Sequence, residues 1–264
     1  MEILKHSLKI DSFFQALRHA NERVLMLDYD GVLAPFQINR MEALPYPEVE
    51  SILERLTDQK KTRVVMITGR QVRDLLLLFK LASKVEVWGS HGLENLTVNG
   101  DYKILPVGQF LMEGLTKTQH LLRQHNLIKL CEIKPRSIAL HWRGLGEKEM
   151  TIVSRTIGEL LTPIVKNYSL QLCPFDGGIE LCASNIGKGD AVEKVLAEVP
   201  KDAIVAYLGD DFTDEKAFKI LKEKGLAVLV RPTFRDTSAD IWLKPPKELV
   251  DFLYKWSNCE NLSS

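Results

Sequence analysis

Five short, almost continuously apolar runs, at 24–27, 64–67, 85–88, 204–208 and 226–230, constrain this chain more than any other feature. Each is bounded by turn-forming residues, the signature of strands buried on both faces of a parallel sheet. Between them, 47–56, 72–79, 191–199 and 214–221 repeat apolar residues at helical spacing, as with Val49, Ile52, Leu53 and Leu56. Strands alternating with helices predict a doubly wound α/β sheet of the Rossmann-like kind. Ligands of such sheets bind at the carboxyl ends of the strands.

The rhythm breaks in the middle. A helical stretch at 110–124, a strand at 137–142, a helix at 147–161 and a strand pair at 169–172 and 178–181 predict a small α+β unit inserted into the larger sheet. The expected domains are therefore a core of residues 1–105 and 183–264 and an insert of residues 106–182.

Four polar clusters sit where apolar strands stop. LMLDYDGV ends its strand in Asp28 and Asp30, which share one side because residues two apart in a strand face the same way, and Gly31 follows for a tight turn. Two neighbouring carboxylates resist ionising together, so a positive partner is expected. VVMITGR places Thr68 and Gly69 at the start of a helix, either as a plain N-cap or as a cradle for a phosphate oxygen. IGKGD puts Lys188 in a helix's first turn, where the helix dipole disfavours a cation. A solvated lysine and a lysine reaching a phosphate or an acidic nucleophile both remain open. GDDFTDE supplies Asp210, Asp211 and Asp214; Asp211 with Asp214 has the spacing of a capping box, which leaves Asp210 over. Clustered carboxylates are the hard oxygen donors that Mg²⁺ takes, so Asp28, Asp30, Asp210, Asp211 and Asp214 are candidate metal ligands. These parts suit covalent phosphoryl transfer, with Asp28 as nucleophile, Asp30 as general acid and base, and Thr68 and Lys188 stabilising the phosphate.

Bulk properties remove other classes. Lys and Arg number 35, as do Asp and Glu, so no global basic field draws the chain to nucleic acid or a membrane. The four cysteines show neither metal-ligand spacing nor the density of a disulfide scaffold. MEILKHSLKIDSFF has no uninterrupted apolar run, and no segment approaches the ~18 apolar residues of a membrane span. A cytoplasmic location, free thiols and a monomer are the default expectations.

The order DYDGV, ITGR, IGKGD, GDDFTDE resembles the haloacid dehalogenase (HAD) superfamily of phosphatases. Within it, DYDGVLAPF, SHGLE, CEIKPRSIALHWR and GGIELCASNIGKGDAV resemble the trehalose-6-phosphate phosphatase family over nearly the whole chain. That resemblance implies a HAD core with an α+β cap, Mg²⁺ as cofactor, and a small-molecule sugar phosphate as substrate. It also implies a synthase as metabolic neighbour. Substrate contacts implied by it are Gly69, Arg70, His91 and Gly92 in the core and Glu132, Lys134, His141, Arg143 and Glu180 in the cap. Read from the residues alone, each member of the cap set is first a solvated surface charge or, for His141, a satisfied core histidine. Two departures stand out: Val32 replaces the usual threonine of the first motif, and ELCASNIGKG lacks the basic and proline residues that often follow the acidic position. The exact sugar therefore stays open among trehalose 6-phosphate, glucosylglycerol phosphate, mannosylglycerate phosphate and sucrose phosphate. A sugar-phosphate-binding module without catalysis is the rival of another class.

Overall fold

The structure is a computed structural model that describes residues 1–183, 186–222 and 224–261. The chain divides into two compact units, Met1–Lys103 with Gly187–Ser264, and Ile104–Ile186.

In the first unit, strands β1 (Glu2–Ile3), β2 (Arg23–Leu27), β3 (Arg63–Ile67), β4 (Glu86–Gly89), β5 (Glu94–Leu96) and β6 (Tyr102–Ile104) precede the insert. Helices α1 (Ile10–His19), α2 (Pro47–Gln59) and α3 (Val72–Leu78) lie between them. In the insert, α4 (Gln109–Gln124), β7 (Cys131–Lys134), β8 (Ser137–His141), α5 (Glu147–Asn167), β9 (Leu170–Phe175) and β10 (Gly178–Ala183) follow. The chain then completes the first unit with α6 (Lys188–Glu198), β11 (Ile204–Gly209), α7 (Glu215–Leu221), β12 (Leu226–Val230), β13 (Ile241–Leu243) and α8 (Lys247–Asn261).

The nine-stranded sheet runs β1-β13-β12-β11-β2-β3-β4-β5-β6, and the strands from β13 to β4 pair in parallel. From β2 the chain winds outward through β3 and β4; after the insert it returns beside β2 with β11 and winds the other way. The direction reverses between β2 and β11, so their carboxyl ends flank the crevice of a doubly wound sheet. Both faces are covered, which is why the strands do not alternate apolar with polar. Leu25 and Leu27 of β2 pack with α1, α2, α3 and α8, while Val24 and Met26 pack with α6 and α7.

The second unit has a four-stranded antiparallel sheet, β7-β8-β10-β9. Ile138, Leu140, Leu170 and Leu181 join the apolar sides of α4 and α5 in its core. The opposite face is polar, because Glu132, Ala139, Glu180 and Cys173 stand directly across from one another on successive strands. Strand β8 ends at His141, and Arg143 turns back to donate to the Asp176 carbonyl.

Among the described residues, no helix is long and apolar enough to cross a membrane. Strand β7, the short strands β1, β5, β6 and β13 toward the two edges of the large sheet, and helices α1 and α8 extend the architecture beyond the elements expected from the sequence. Two- to four-residue strands are too short for a periodicity to register, and pairing with a neighbour is what defines them.

Candidate active site

The geometry begins with the pairing of β2 and β11. Leu27 stands opposite Leu208, and the Asp28 amide donates to the Leu208 carbonyl at 2.9 Å, so the residues that follow both strands emerge side by side. Asp28, Asp210 and Asp214 thereby gather, with one oxygen of each lying within 4.8 Å of the others. All three are buried.

Gly31 makes this approach possible. Its φ is +77°, in the left-handed region, and a Cβ there would overlap the Asp210 carboxylate and reach Phe36 at 2.9 Å. The Gly31 amide closes the turn onto the Ala34 carbonyl at 2.9 Å.

Lys188, 3% exposed, answers the charge. Its Nζ donates to Asp28 Oδ2 at 2.5 Å and Asp214 Oδ1 at 2.8 Å. Here lies the reason for a lysine in the first turn of α6: the local dipole cost is outweighed by two buried carboxylates. Burial alone would lower its pKa, but Asp214, Asp28 and Asp210 together hold it well above the ordinary value.

Asp214 is the hub of the cluster. Its Oδ1 accepts from Lys188 and the Tyr207 hydroxyl, and its Oδ2 accepts from the amides of Asp210 and Asp211 at 3.0 and 2.9 Å. Four donors fill the roughly four acceptor positions of one carboxylate. Burial would raise its pKa, yet Lys188, Tyr207 and the Asp211 amide carry it below the ordinary value.

Asp28 and Asp210 differ. Burial is the main cause that pushes the Asp28 carboxyl up to about 7, against Lys188 and together with Asp214. Asp210 is likewise held well above its ordinary value, by burial and then by Asp28 and Asp214. Its Oδ2 is buried and accepts no hydrogen bond from the described residues. A buried carboxylate oxygen without a donor beside a second crowded carboxylate is the donor set a hard divalent cation satisfies, so these residues fit Mg²⁺.

The other expected residues have identifiable surroundings. Asp30 is held by Arg70, whose Nε and Nη2 each donate to one carboxylate oxygen at 2.7 Å. Asp211 caps the turn after β11 by accepting from the Phe212 amide at 2.7 Å. Asp211 and Asp214 also close the capping box that their spacing predicts, the Asp211 carboxylate accepting from the Asp214 amide and the Asp214 carboxylate from the Asp211 amide. Thr68, fully buried, accepts from the Arg70 amide at 3.2 Å. At Gly69 a Cβ would meet the His91 ring at 2.7 Å, so the missing side chain lets the ring lie against the loop. Ser90, His91 and Gly92 all have positive φ, and two non-glycine residues in that region mark stored backbone strain. Gly92 brings this turn against the start of α6, where its Cβ would stand 3.2 Å from the Gly187 carbonyl.

In the second unit, Lys134 donates to both Glu180 oxygens at 3.1 Å, Ser137 to one of them at 2.5 Å, and His141 lies 3.1 Å from Glu132. Glu180 and Lys134 are buried and form an ion pair.

Four further residues support the site. Tyr207 looked like one more apolar strand residue, yet its hydroxyl reaches Asp214. Glu94 ties down the strained turn by accepting from Ser90, from the Val72 amide at 3.2 Å and from Tyr102 at 2.8 Å. Arg235 donates to the carbonyls of Asp210 and Asp211 at 3.3 and 2.7 Å and to Glu215 at 2.6 Å. Arg231 adds a bond to the Asp210 carbonyl at 3.3 Å. Only Glu94 carried a sequence signal, as the last residue of SHGLE.

A doubly wound parallel sheet with its acidic and basic groups at the switch point, together with the likenesses that follow, defines a phosphatase with a HAD-type fold. Residues 26–244 match the Trehalose-phosphatase family. The chain belongs to the trehalose-phosphatase family. It is 27% identical over 287 residues to trehalose 6-phosphate phosphatase RA3 of Zea mays, covering 96% of this chain and 75% of that one. The fold is similar to the C-terminal domain of the trehalose-6-phosphate phosphatase of C. albicans (TM-score 0.84, 19% identity, 98% of this chain and 99% of the other). It is also similar to BT1666 of Bacteroides thetaiotaomicron, a phosphatase of the HAD superfamily (TM-score 0.57, 13% identity, 89% and 95%).

Proposed function

We propose that this enzyme hydrolyses trehalose 6-phosphate to trehalose and inorganic phosphate through an aspartyl-phosphate on Asp28, with Mg²⁺ as cofactor. The observation that carries the reading is Lys188 bridging Asp28 and Asp214 beside the unsatisfied oxygen of Asp210.

Asp28, oriented by Lys188 and by the Tyr29 amide at 2.7 Å, attacks phosphorus as the sugar alkoxide departs. Asp30 gives the alkoxide its proton, then takes one from the water that attacks the aspartyl-phosphate, which releases phosphate and restores Asp28. To do so, the Asp30 carboxylate first exchanges its bond with Arg70 for the substrate. Lys188, the Thr68 hydroxyl and the Gly69 amide hold phosphate oxygens. Asp28 and Asp210 are the residues that would hold Mg²⁺, which would supply neutralisation of the phosphoryl charge. In this reading Asp214 keeps Lys188 in place. His91 and Gly92 shape the phosphate side of the site, and Glu132, Lys134, His141, Arg143 and Glu180 contact the sugar hydroxyls.

The substrate assignment rests on the family, whose relatives carry that substrate in their names. A panel of trehalose 6-phosphate, glucosylglycerol phosphate, mannosylglycerate phosphate and sucrose phosphate with Mg²⁺ tests it. The expected result is the highest kcat/KM on trehalose 6-phosphate; a clearly higher value for another member overturns the assignment. Asp28→Asn is expected to abolish phosphate release, and unchanged release would leave the mechanism without its nucleophile.

A further inference from the structure

Two of the four cysteines, far from the catalytic aspartates in sequence, face each other on the polar side of the insert's sheet. Cys173 of β9 stands opposite Glu180, and Cys182 of β10 stands opposite Gln171, so the two cysteines are diagonal neighbours on one face. Their sulfurs are 2.9 Å apart, in hydrogen-bond contact. Cys182 is buried, and Gln171 donates to its sulfur at 3.8 Å; Cys173 is half-buried and the more accessible of the two. The remaining pair has different surroundings: Cys131 donates to the Leu127 carbonyl at 3.2 Å and Cys259 to the Phe14 carbonyl at 3.7 Å.

We propose that Cys173 and Cys182 are a reversible thiol–disulfide modification site, oxidised by hydrogen peroxide, with Cys173 as the attacking sulfur and Cys182 as the resolving one. The Cys173 thiolate attacks one peroxide oxygen and expels hydroxide, which takes up the proton Cys173 had lost and leaves as water; Cys173 becomes a sulfenic acid. The Cys182 sulfur then attacks the sulfenic sulfur, and the Cys182 proton leaves with the displaced hydroxyl as a second water. Overall, two thiols and one peroxide give one disulfide and two waters.

The division of labour follows from the surroundings. The hydrogen bond from Cys182 holds the Cys173 thiol below its ordinary pKa, against burial and the Glu180 carboxylate. By contrast, burial pushes Cys131 up to about 11 and also raises Cys259. Thiolate character governs the first attack, so oxidant is directed to Cys173.

Reversibility follows from the register. Diagonal neighbours across antiparallel strands have Cα atoms about 7–8 Å apart, beyond the roughly 4.4–6.8 Å a relaxed disulfide spans. Bond formation therefore draws β9 and β10 together, and strained disulfides are the readily reduced ones. The strand drawn in is the one that carries Glu180 and its bonds to Lys134 and Ser137.

The test uses the whole chain, reduced, dosed with hydrogen peroxide, then unfolded and alkylated with iodoacetamide for mass analysis. Four alkylated cysteines before the dose should fall to two after it. Without alkylation the dosed chain should weigh about 2 Da less than the reduced one, and digestion of the alkylated sample should give 173 and 182 in one cross-linked peptide. Dithiothreitol should restore all four. With Cys182→Ser, Cys173 should stop at the sulfenic acid and be trapped by dimedone. With Cys173→Ser, the three remaining thiols should all alkylate after the same dose. Four alkylated cysteines in the dosed wild type, a cross-link between chains, or oxidation of Cys131 or Cys259 as fast as Cys173 would each overturn the proposal. None of these readouts uses turnover, so the result is independent of the substrate assignment.

Discussion

Asp214→Asn should unfold the catalytic unit far more readily than a one-atom change suggests. The carboxylate accepts from Lys188 and Tyr207 on one oxygen and from two backbone amides on the other. An asparagine amide has one acceptor oxygen, and its NH₂ can only donate. If the NH₂ takes the Oδ2 place, the amides of Asp210 and Asp211 face another donor. If it takes the Oδ1 place, Lys188 does, while Tyr207 can rotate its hydroxyl to accept. The first arrangement leaves two buried donors unsatisfied at about 1–3 kcal/mol each, roughly 2–6 kcal/mol in all. The second loses one charge-assisted bond and part of the counter-charge of a fully buried lysine, a penalty of at least the same order. Either is a large share of the about 5–15 kcal/mol that separates folded from unfolded proteins. Urea unfolding followed by circular dichroism in EDTA should show a midpoint lowered by roughly 1–2 M. EDTA matters because it separates a hydrogen-bonding hub from a metal ligand. A variant within 1 kcal/mol (approximately) of wild type in EDTA, yet impaired in Mg²⁺ binding, would refute the assignment of Asp214 to the hub.

Gly31→Ala should displace the Asp210 carboxylate, because a Cβ cannot share its position; Mg²⁺ titrated by calorimetry should bind at least ten-fold more weakly, roughly 1.4 kcal/mol. Lys134→Met should destabilise the insert by about 3–5 kcal/mol by stranding Glu180, and adding Glu180→Gln should recover much of that loss, a coupling readable in a double-mutant cycle. Burial raises the Glu215 pKa, but the Ser238 amide, Arg235 and Thr237 outweigh it and hold the group below its ordinary value. A depressed folded pKa contributes stability that is present above the unfolded value of 4.5 and lost as pH falls through the folded one. Glu215→Gln should therefore flatten the acid limb of a stability profile below about pH 4.5, and an unchanged limb would count against this pairing. Chelation by EDTA should stop phosphate release and Mg²⁺ should restore it.

Some of this protein was fixed by local chemistry and could be read along the chain. The apolar runs of β2, β3, β11 and β12 needed only their neighbours in sequence to declare two buried faces, and Asp28, Thr68 and Asp210 stood out because each follows such a run. The oddity of a cation at the start of α6 was visible as well. What the sequence could not state is who answers whom. Asp28, Lys188 and Asp214 are separated by 160 and 26 residues and meet only because the winding of the sheet reverses between β2 and β11. Spacing marked Asp211 and Asp214 as a capping pair, yet all five acids stood as candidate metal ligands. Packing gave Asp30 to Arg70, Asp211 to the amides of Phe212 and Asp214, Asp214 to four donors, and left an oxygen of Asp210 with none among the described residues. Hydrogen bonds and charges act through space over a few ångströms, so the division of roles among identical side chains belongs to the tertiary structure.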